Sequence, residues 1–148
     1  MILGRSRREK ALVERFVAAF NARDVGVIEL LMTEDFLYID SWREGVRGRN
    51  IVIDALRKLL EVDPEFRIAV ETMNWRRPHM MMTGLVHSSH WGRGRRAVWQ
   101  ITVRDMLISE YQSWAEGGPP PLSRVLAPAK VEDLSATAPA QPPTDVTG

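Results

Sequence analysis

The sequence lacks cysteine, and no stretch of it is long and apolar enough to cross a membrane. Without cysteine there can be no disulfide, no thiolate nucleophile and no cysteine metal site. A membrane-spanning helix needs about 18 apolar residues in a row, and no segment approaches that length. The N-terminal MILGRSRREK has only a short apolar run, and its basic residues follow that run, the reverse of a secretory signal peptide. These absences predict a cytoplasmic protein.

An excess of charge of either sign is also missing, because 20 basic residues stand against 19 acidic ones. A near-neutral chain has no long-range field that attracts nucleic acid or an anionic membrane. The Gly92-Arg93-Gly94 run is predicted to lie in a hairpin turn, so it does not resemble a phosphate-binding loop at a strand-to-helix junction. The histidines and carboxylates show no metal-ligand spacing. The sequence therefore predicts no cofactor, no metal, and neither nucleic acid nor membrane as a partner.

Three helices are predicted in the first half of the chain, where apolar residues recur at helical spacing. The first spans residues 9–22, and its apolar stripe includes Phe16 and Phe20. A second, shorter helix follows Asp24, whose carboxylate can cap it. The third spans about residues 50–61 and ends before Pro64.

The second half changes to the period-two alternation that is typical of half-buried strands. Strands are predicted at residues 36–39, 66–72, 80–91, 97–104 and 107–114. Thr33-Glu34-Asp35 is interpreted as a break, and residues 40–48 as a loop or hairpin turn. Short turns between the later strands favour an antiparallel meander. The predicted fold class is α+β: three N-terminal helices packed on a curved, mostly antiparallel sheet, forming a cone with a cavity at its wide end.

After Glu116 the composition shifts to proline, alanine, serine and threonine, without aromatic residues. The run of residues 117–121, GGPPP, cannot continue a sheet. We therefore predict an α+β domain at residues 1–116 and a flexible Pro/Ala-rich tail at residues 117–148. The alternative is that Leu122, Val125 and Leu126 dock on the domain or on a partner subunit.

Three phrases in this order resemble the SnoaL-like branch of the nuclear transport factor 2-like superfamily: ALVERFVAAFNARDVGVIELLMTEDFLYID, GVRGRNIVIDALRKLL and VRDMLISEYQSW. That superfamily includes ketosteroid isomerase, polyketide cyclases and limonene epoxide hydrolase, and also binding modules without chemistry. The resemblance implies a cone-shaped α+β domain, a pocket between helices and sheet, and a homodimer formed through the sheet.

Within this resemblance, Asp40 matches the catalytic carboxylate of ketosteroid isomerase. Phe16 stands where the isomerase has its oxyanion-binding tyrosine, and Trp99 or Gln100 stands near its second carboxylate. Both oxyanion donors are thus replaced, which argues against steroid isomerase activity. Asp40 as a general base in an apolar cavity is one hypothesis. The other is an exposed aspartate that caps a turn with Ser41.

Two histidines are further catalytic candidates. His87 and His90 are both placed on the strand at residues 80–91, and an odd separation points their side chains to opposite faces. One of them would face the pocket and pair with Asp40 as a proton relay. The alternative for each is a strand histidine that is bonded to a neighbouring polar group.

The pocket is predicted to be lined by Phe16, Phe20, Tyr38, Trp42 and Trp99. These aromatic side chains suit a small apolar or aromatic ligand. The first hypothesis is therefore an isomerase, cyclase or hydrolase with Asp40 as general base, or a ligand-binding protein. The alternative is a non-catalytic, dimeric binding or scaffold module of the same fold.

Overall fold

A computed structural model describes residues 2–90 and 94–144 of the chain. The three predicted helices are present: α1 (Ile2–Asn21), α2 (Val25–Leu30) and α3 (Arg49–Val62). The Asp24 carboxylate accepts a hydrogen bond from the Val27 N–H at 3.2 Å, which confirms the predicted cap of α2. In the part of the chain that the structure describes, none of the helices combines the length and the apolar character that a membrane crossing requires.

Within the described residues, seven strands form one sheet: β1 (Met32–Ile39), β2 (Glu44–Arg47), β3 (Arg67–Arg76), β4 (His79–His87), β5 (Arg95–Arg104), β6 (Leu107–Ala115) and β7 (Val131–Asp133). Their spatial order is β3-β4-β5-β6-β1-β2-β7. β3 to β6 make the predicted antiparallel meander. β1 pairs in parallel with β6, with Tyr38 opposite Tyr111. This one parallel pair joins the β1–β2 hairpin to the meander and completes a mostly antiparallel sheet.

The core lies between the helices and one face of the sheet. Trp99, in the middle of β5, is 1% exposed, and it alternates along the strand with half-buried Val98 and Gln100. Trp99 therefore faces the core. Leu12, Val13 and Phe16 on α1 are buried in the same cluster. The opposite, outer face of the sheet carries Leu37, Ile39, Met81 and Trp114 in two smaller clusters.

Several predicted element boundaries are wrong: α1 begins at Ile2 rather than at residue 9, and β3 runs to Arg76 rather than to residue 72. Thr33-Glu34-Asp35 is not a break between elements, because β1 starts at Met32 and includes these three residues. The pairing of β1 with β6 is irregular between Met32 and Leu37. β4 ends at His87 rather than continuing to residue 91, so His90 lies in a bend beyond the strand. Residues 91–93, which include most of the predicted glycine turn, lie outside the described residues.

The segment after Glu116 differs from the flexible tail that its composition predicts. It forms a short helix, α4 (Leu122–Leu126), a 3₁₀ turn and the edge strand β7. β7 pairs antiparallel with β2, and Leu126 and Ala138 are buried. Proline is excluded from central strands but not from the start of a short helix or from a chain that crosses a surface. The alternative prediction is that Leu122, Val125 and Leu126 dock on the domain or on a partner subunit. Leu122 and Leu126 do pack against the core of the domain, whereas Val125 is exposed.

Candidate functional site

A cavity of about 130 Å³ lies between the inner face of the sheet, the helices and the segment that follows β6. Most of its wall is apolar or aromatic. α1 supplies Phe16 and Phe20, and the sheet supplies Tyr38 and Trp99. Four of the five predicted lining residues therefore do line the cavity. The remaining wall includes Ile28, Phe36, Val52, Ala55, Leu56, Leu59, Phe66, Ile68, Val86 and Tyr111.

Residues 119–126, hereafter the covering segment, close one side of this cavity. Pro119, Pro120, Leu122, Ser123 and Leu126 all belong to its wall. Three contacts outside the cavity hold the segment in place. The Arg124 guanidinium pairs with the Glu44 carboxylate at 2.7 Å, the Trp42 indole N–H donates to the Pro119 carbonyl at 2.9 Å, and the Lys58 amine donates to the Leu126 carbonyl at 3.4 Å. The cavity wall is thus built partly from the region whose composition predicts a free tail.

Asp40 lines the cavity and is 1% exposed, so it is not the exposed loop residue of the alternative hypothesis. One carboxylate oxygen accepts hydrogen bonds from the Trp42 N–H at 2.9 Å and the Glu44 N–H at 3.1 Å. The other oxygen accepts from the Ser123 N–H at 2.9 Å. Asp40 therefore caps the β1–β2 turn, as that alternative expected, and also fixes the start of α4. The N–H groups that it caps in the turn belong to Trp42 and Glu44, and Ser41 is not one of its partners.

Tyr38 and Tyr111 stand side by side on the cavity wall, with ring centroids 5.9 Å apart. Burial raises the pKa of both phenols, and the negative charge of Asp40 raises the pKa of Tyr38 further. Both side chains are therefore neutral hydrogen-bond donors at neutral pH. Tyr111 is not among the lining residues that the sequence predicts. Its position in β6, two residues before the inward-facing Ser113, is the signal that could have identified it.

Neither catalytic histidine candidate lines the cavity. His87 is half-buried at the end of β4, where it pairs in register with Arg67. The His90 ring nitrogen Nε2 lies 2.7 Å from the Val62 carbonyl oxygen, and the His90 backbone N–H donates to the Ser88 hydroxyl. The geometry does not bring either side chain into a relay with Asp40, since the described acceptor contacts of Asp40 are all with backbone N–H groups.

Trp42 is the predicted lining residue that the structure places elsewhere. It is 53% exposed and lies beside a shallow depression next to the cavity, under the Arg124 guanidinium. The reason is the turn after Asp40: the chain reverses between Ser41 and Glu44, with Arg43 at a φ of 58°, which carries the Trp42 side chain to the outside.

The site is therefore an apolar chamber with two neutral phenols and one carboxylate that accepts three backbone hydrogen bonds. Among residues 2–90 and 94–144, no three histidine, aspartate or glutamate side chains come close enough together to hold a metal ion. Such a chamber can bind an uncharged molecule and offer hydrogen bonds to it.

The comparisons with known proteins agree with this architecture. No curated protein matches the sequence significantly. A protein from Mesorhizobium loti, described as NTF2-like and of unknown function, is 19% identical and superimposes with a TM-score of 0.66 over 76% of this chain and 94% of its own. A protein from Shewanella denitrificans with the provisional name SnoaL-like polyketide cyclase is 17% identical, with a TM-score of 0.66 over 73% of this chain and 90% of its own.

A third structure, an NTF2-like protein of unknown function from Cytophaga hutchinsonii, has a TM-score of 0.63 at 14% identity and covers 73% of this chain and 89% of its own. At these identities the structural likeness establishes the fold alone. The sequence itself matches the profile of the SnoaL-like domain over residues 13–111, which is most of the cone. The chain therefore belongs to the SnoaL-like domain family.

Proposed function

We propose that the protein binds a small, largely apolar molecule in the cavity beneath the covering segment. The observation that carries this proposal is an apolar space of about 130 Å³ that core side chains line but do not fill. An engineered hydrophobic cavity of about 150 Å³ admits a benzene ring. The space is therefore large enough for one ring-sized ligand.

The energetics of the space support the same proposal. Voids cost roughly 24 cal/mol per Å³, so an empty cavity of about 130 Å³ would cost roughly 3 kcal/mol of stability. Side chains of ordinary size could fill it, because Ala55 and Val52 on α3 stand at its wall. A ligand that occupies the space recovers the lost contacts.

Filling the cavity tests the proposal. Ala55→Leu adds three carbon atoms at the cavity wall. The matched control is Ala11→Leu, which adds the same atoms on the exposed side of α1. We expect toluene and indole to shift the NMR signals of cavity residues such as Trp99 in the native protein. Ala55→Leu should weaken this binding by about tenfold or more, which corresponds to about 1.4 kcal/mol.

Ala11→Leu should bind both probes as the native protein does. Equal binding by the two variants, or signals that shift only at surface residues, would contradict a ligand site in this cavity.

A second candidate is an isomerase, cyclase or hydrolase that uses Asp40 as general base. It is favoured by one observation, that the Asp40 carboxylate lines the cavity. A carboxylate has about four lone-pair sites, and three backbone N–H groups occupy three of them. One site remains to accept a substrate proton. This hypothesis requires that Asp40→Asn abolishes turnover of a substrate, and turnover that persists in that variant would end it.

The binding function is the better supported of the two, because the same three contacts give Asp40 a complete structural role. The non-catalytic binding module that the sequence predicts corresponds to this binding function, and its dimeric form remains a prediction.

A further inference from the structure

We propose that Tyr38 and Tyr111 form the polar end of the cavity and together bind one uncharged acceptor oxygen of the ligand, such as the oxygen of a ketone or aldehyde. The proposal rests on the binding function above and names its ligand class: small apolar molecules that carry a neutral carbonyl group.

The two tyrosines are brought together by the parallel pairing of β1 and β6. Tyr38 and Tyr111 are register partners on neighbouring strands, so their side chains leave the same face of the sheet. The rings are tilted by 36° with centroids 5.9 Å apart, and the Phe16 ring lies 6.3 Å from Tyr111. These are the only two tyrosines in the sequence, and both line the cavity.

Neither phenol hydroxyl makes a hydrogen bond to another residue that the structure describes. Both tyrosines are half-buried, and a phenol hydroxyl on a cavity wall can donate a hydrogen bond to an acceptor atom inside the cavity. Two neighbouring polar side chains on the same wall are already engaged: the Ser41 hydroxyl donates to the Ser113 carbonyl, and the Ser123 hydroxyl donates to the Glu44 carbonyl. An acceptor atom on the ligand would satisfy the two phenols.

The charges around the cavity select an uncharged acceptor. Both phenols remain protonated, because burial raises their pKa values, so they can donate but not carry a negative charge. The Asp40 carboxylate on the same wall repels an anion. Among the described residues, Arg95 is the one cation on the wall, and its guanidinium is turned to the Gly117 carbonyl, to which it donates at 2.6 Å.

The test compares two probes of nearly equal shape, cyclohexanone and methylenecyclohexane. The second has a CH₂ group where the ketone has its acceptor oxygen. By NMR titration we expect the native protein to bind the ketone about tenfold more tightly than the hydrocarbon. Tyr38→Phe and Tyr111→Phe should each reduce this preference, and the double variant should remove it. Affinity for methylenecyclohexane should stay within about twofold in all three.

Ser109→Ala is the matched control. It also removes a hydroxyl from β6, but that hydroxyl donates to the Thr102 carbonyl and is not part of the cavity wall. We expect it to leave the ratio of the two affinities unchanged. The Tyr→Phe changes remove only unpaired hydroxyls, so the variants should fold, and their thermal midpoints check this.

Three results would overturn the proposal. If both probes bind equally, and the double variant changes neither affinity, the phenols do not select the ligand although the cavity binds. If cyclohexanecarboxylate binds more tightly than cyclohexanone, the site recognises an anion, and Arg95 becomes its recognition residue. If neither the ketone nor any hydrocarbon binds, the proposed function itself fails.

Discussion

The carboxylate of Asp40 accepts hydrogen bonds from three backbone N–H groups, and the one from Ser123 is buried. Two of them belong to the turn between β1 and β2, and the third belongs to Ser123, 83 positions further along the chain. One side chain thus links the hairpin to the covering segment. Buried N–H groups that lose their acceptor carry a large desolvation cost, which gives this residue its structural weight.

Replacing Asp40 by Asn puts an NH₂ group in place of one acceptor oxygen, so at least one backbone N–H is left unpaired. We expect the free energy of unfolding to fall by about 1–3 kcal/mol. We also expect the Ser123 amide to exchange faster with solvent, since its acceptor is lost or weakened. Chemical denaturation and hydrogen exchange measured by NMR check the two effects.

Asp24→Asn provides the control for this change. Asp24 caps α2 through its side chain, and asparagine caps a helix about as well as aspartate, so little change in stability is expected. Undiminished protection of the Ser123 amide in Asp40→Asn would show that Asp40 does not hold the covering segment.

Two elements are joined by Asp63 at the end of α3. Its side chain is completely buried and accepts hydrogen bonds from the Ser88 and Ser89 hydroxyls and from the Ser89 N–H, all in the bend that follows β4. Burial by itself would raise the pKa of this carboxyl. The hydrogen bonds from Ser88 and Ser89 outweigh burial and lower the pKa below its ordinary value of 3.8. The ionised form is therefore the one that ties α3 to β4.

This gives the junction a defined pH dependence. A carboxyl whose pKa is lower in the folded than in the unfolded state adds stability above its ordinary pKa, and that stability is lost as the pH falls through the folded value. We expect Asp63→Asn to lower the free energy of unfolding by about 1.5–3 kcal/mol at pH 7. The difference from the native protein should shrink as the pH falls below about 4.

Denaturant titrations at pH 7, 5, 4 and 3 measure this difference. Asp54→Asn, on the exposed side of α3, controls for the loss of a charge from the same helix. A difference between native protein and Asp63→Asn that stays constant down to pH 3 would rule out the ionised carboxylate as the tie.

At the scale of the whole molecule, the C-terminal part of the chain covers both sides of the sheet. The covering segment closes the cavity on the inner face. Residues 134–139, the outer-face segment, cross the opposite face: Ala138 packs against Leu37 and Ile39, and the Trp114 indole N–H donates to the Pro139 carbonyl at 3.1 Å. The predicted homodimer through the sheet would use this outer face, so the segment and a second copy of the chain compete for it.

We therefore predict that detaching the outer-face segment promotes dimer formation. Ala138→Asp places a charge at a site that is only 8% exposed, and burying an unpaired charge is strongly unfavourable. We expect sedimentation or light scattering to show dimer at lower protein concentration for this variant than for the native protein. Ala140→Asp adds the same charge at an exposed position of the same chain segment and should behave as the native protein.

A monomeric Ala138→Asp variant with an intact fold would indicate that the sheet face is not a dimer surface. If the native protein forms a dimer while the Trp114 indole N–H still donates to the Pro139 carbonyl, the outer-face segment and the second copy do not compete for this face.

The sequence by itself determined the scaffold. Apolar spacing located α1, α2 and α3, alternation located the strands of the meander, and the three family phrases identified the cone. These features follow from local periodicity, because a side chain that must be buried repeats with the period of its own helix or strand. The same local signals are why Asp40 and Tyr38 could be singled out at the end of β1.

Only the tertiary structure decided what surrounds those residues. The partner of Tyr38 is Tyr111, through a parallel strand pair, and the most distant partner of Asp40 is Ser123, in a segment whose composition resembles a free tail. No local pattern encodes such contacts, because the two members of each pair lie in different elements and meet only when the sheet and α4 assemble. The resemblance pointed to Asp40 as a base, whereas the fold gives its carboxylate three backbone partners and leaves the two phenols as donors without partners in the described chain.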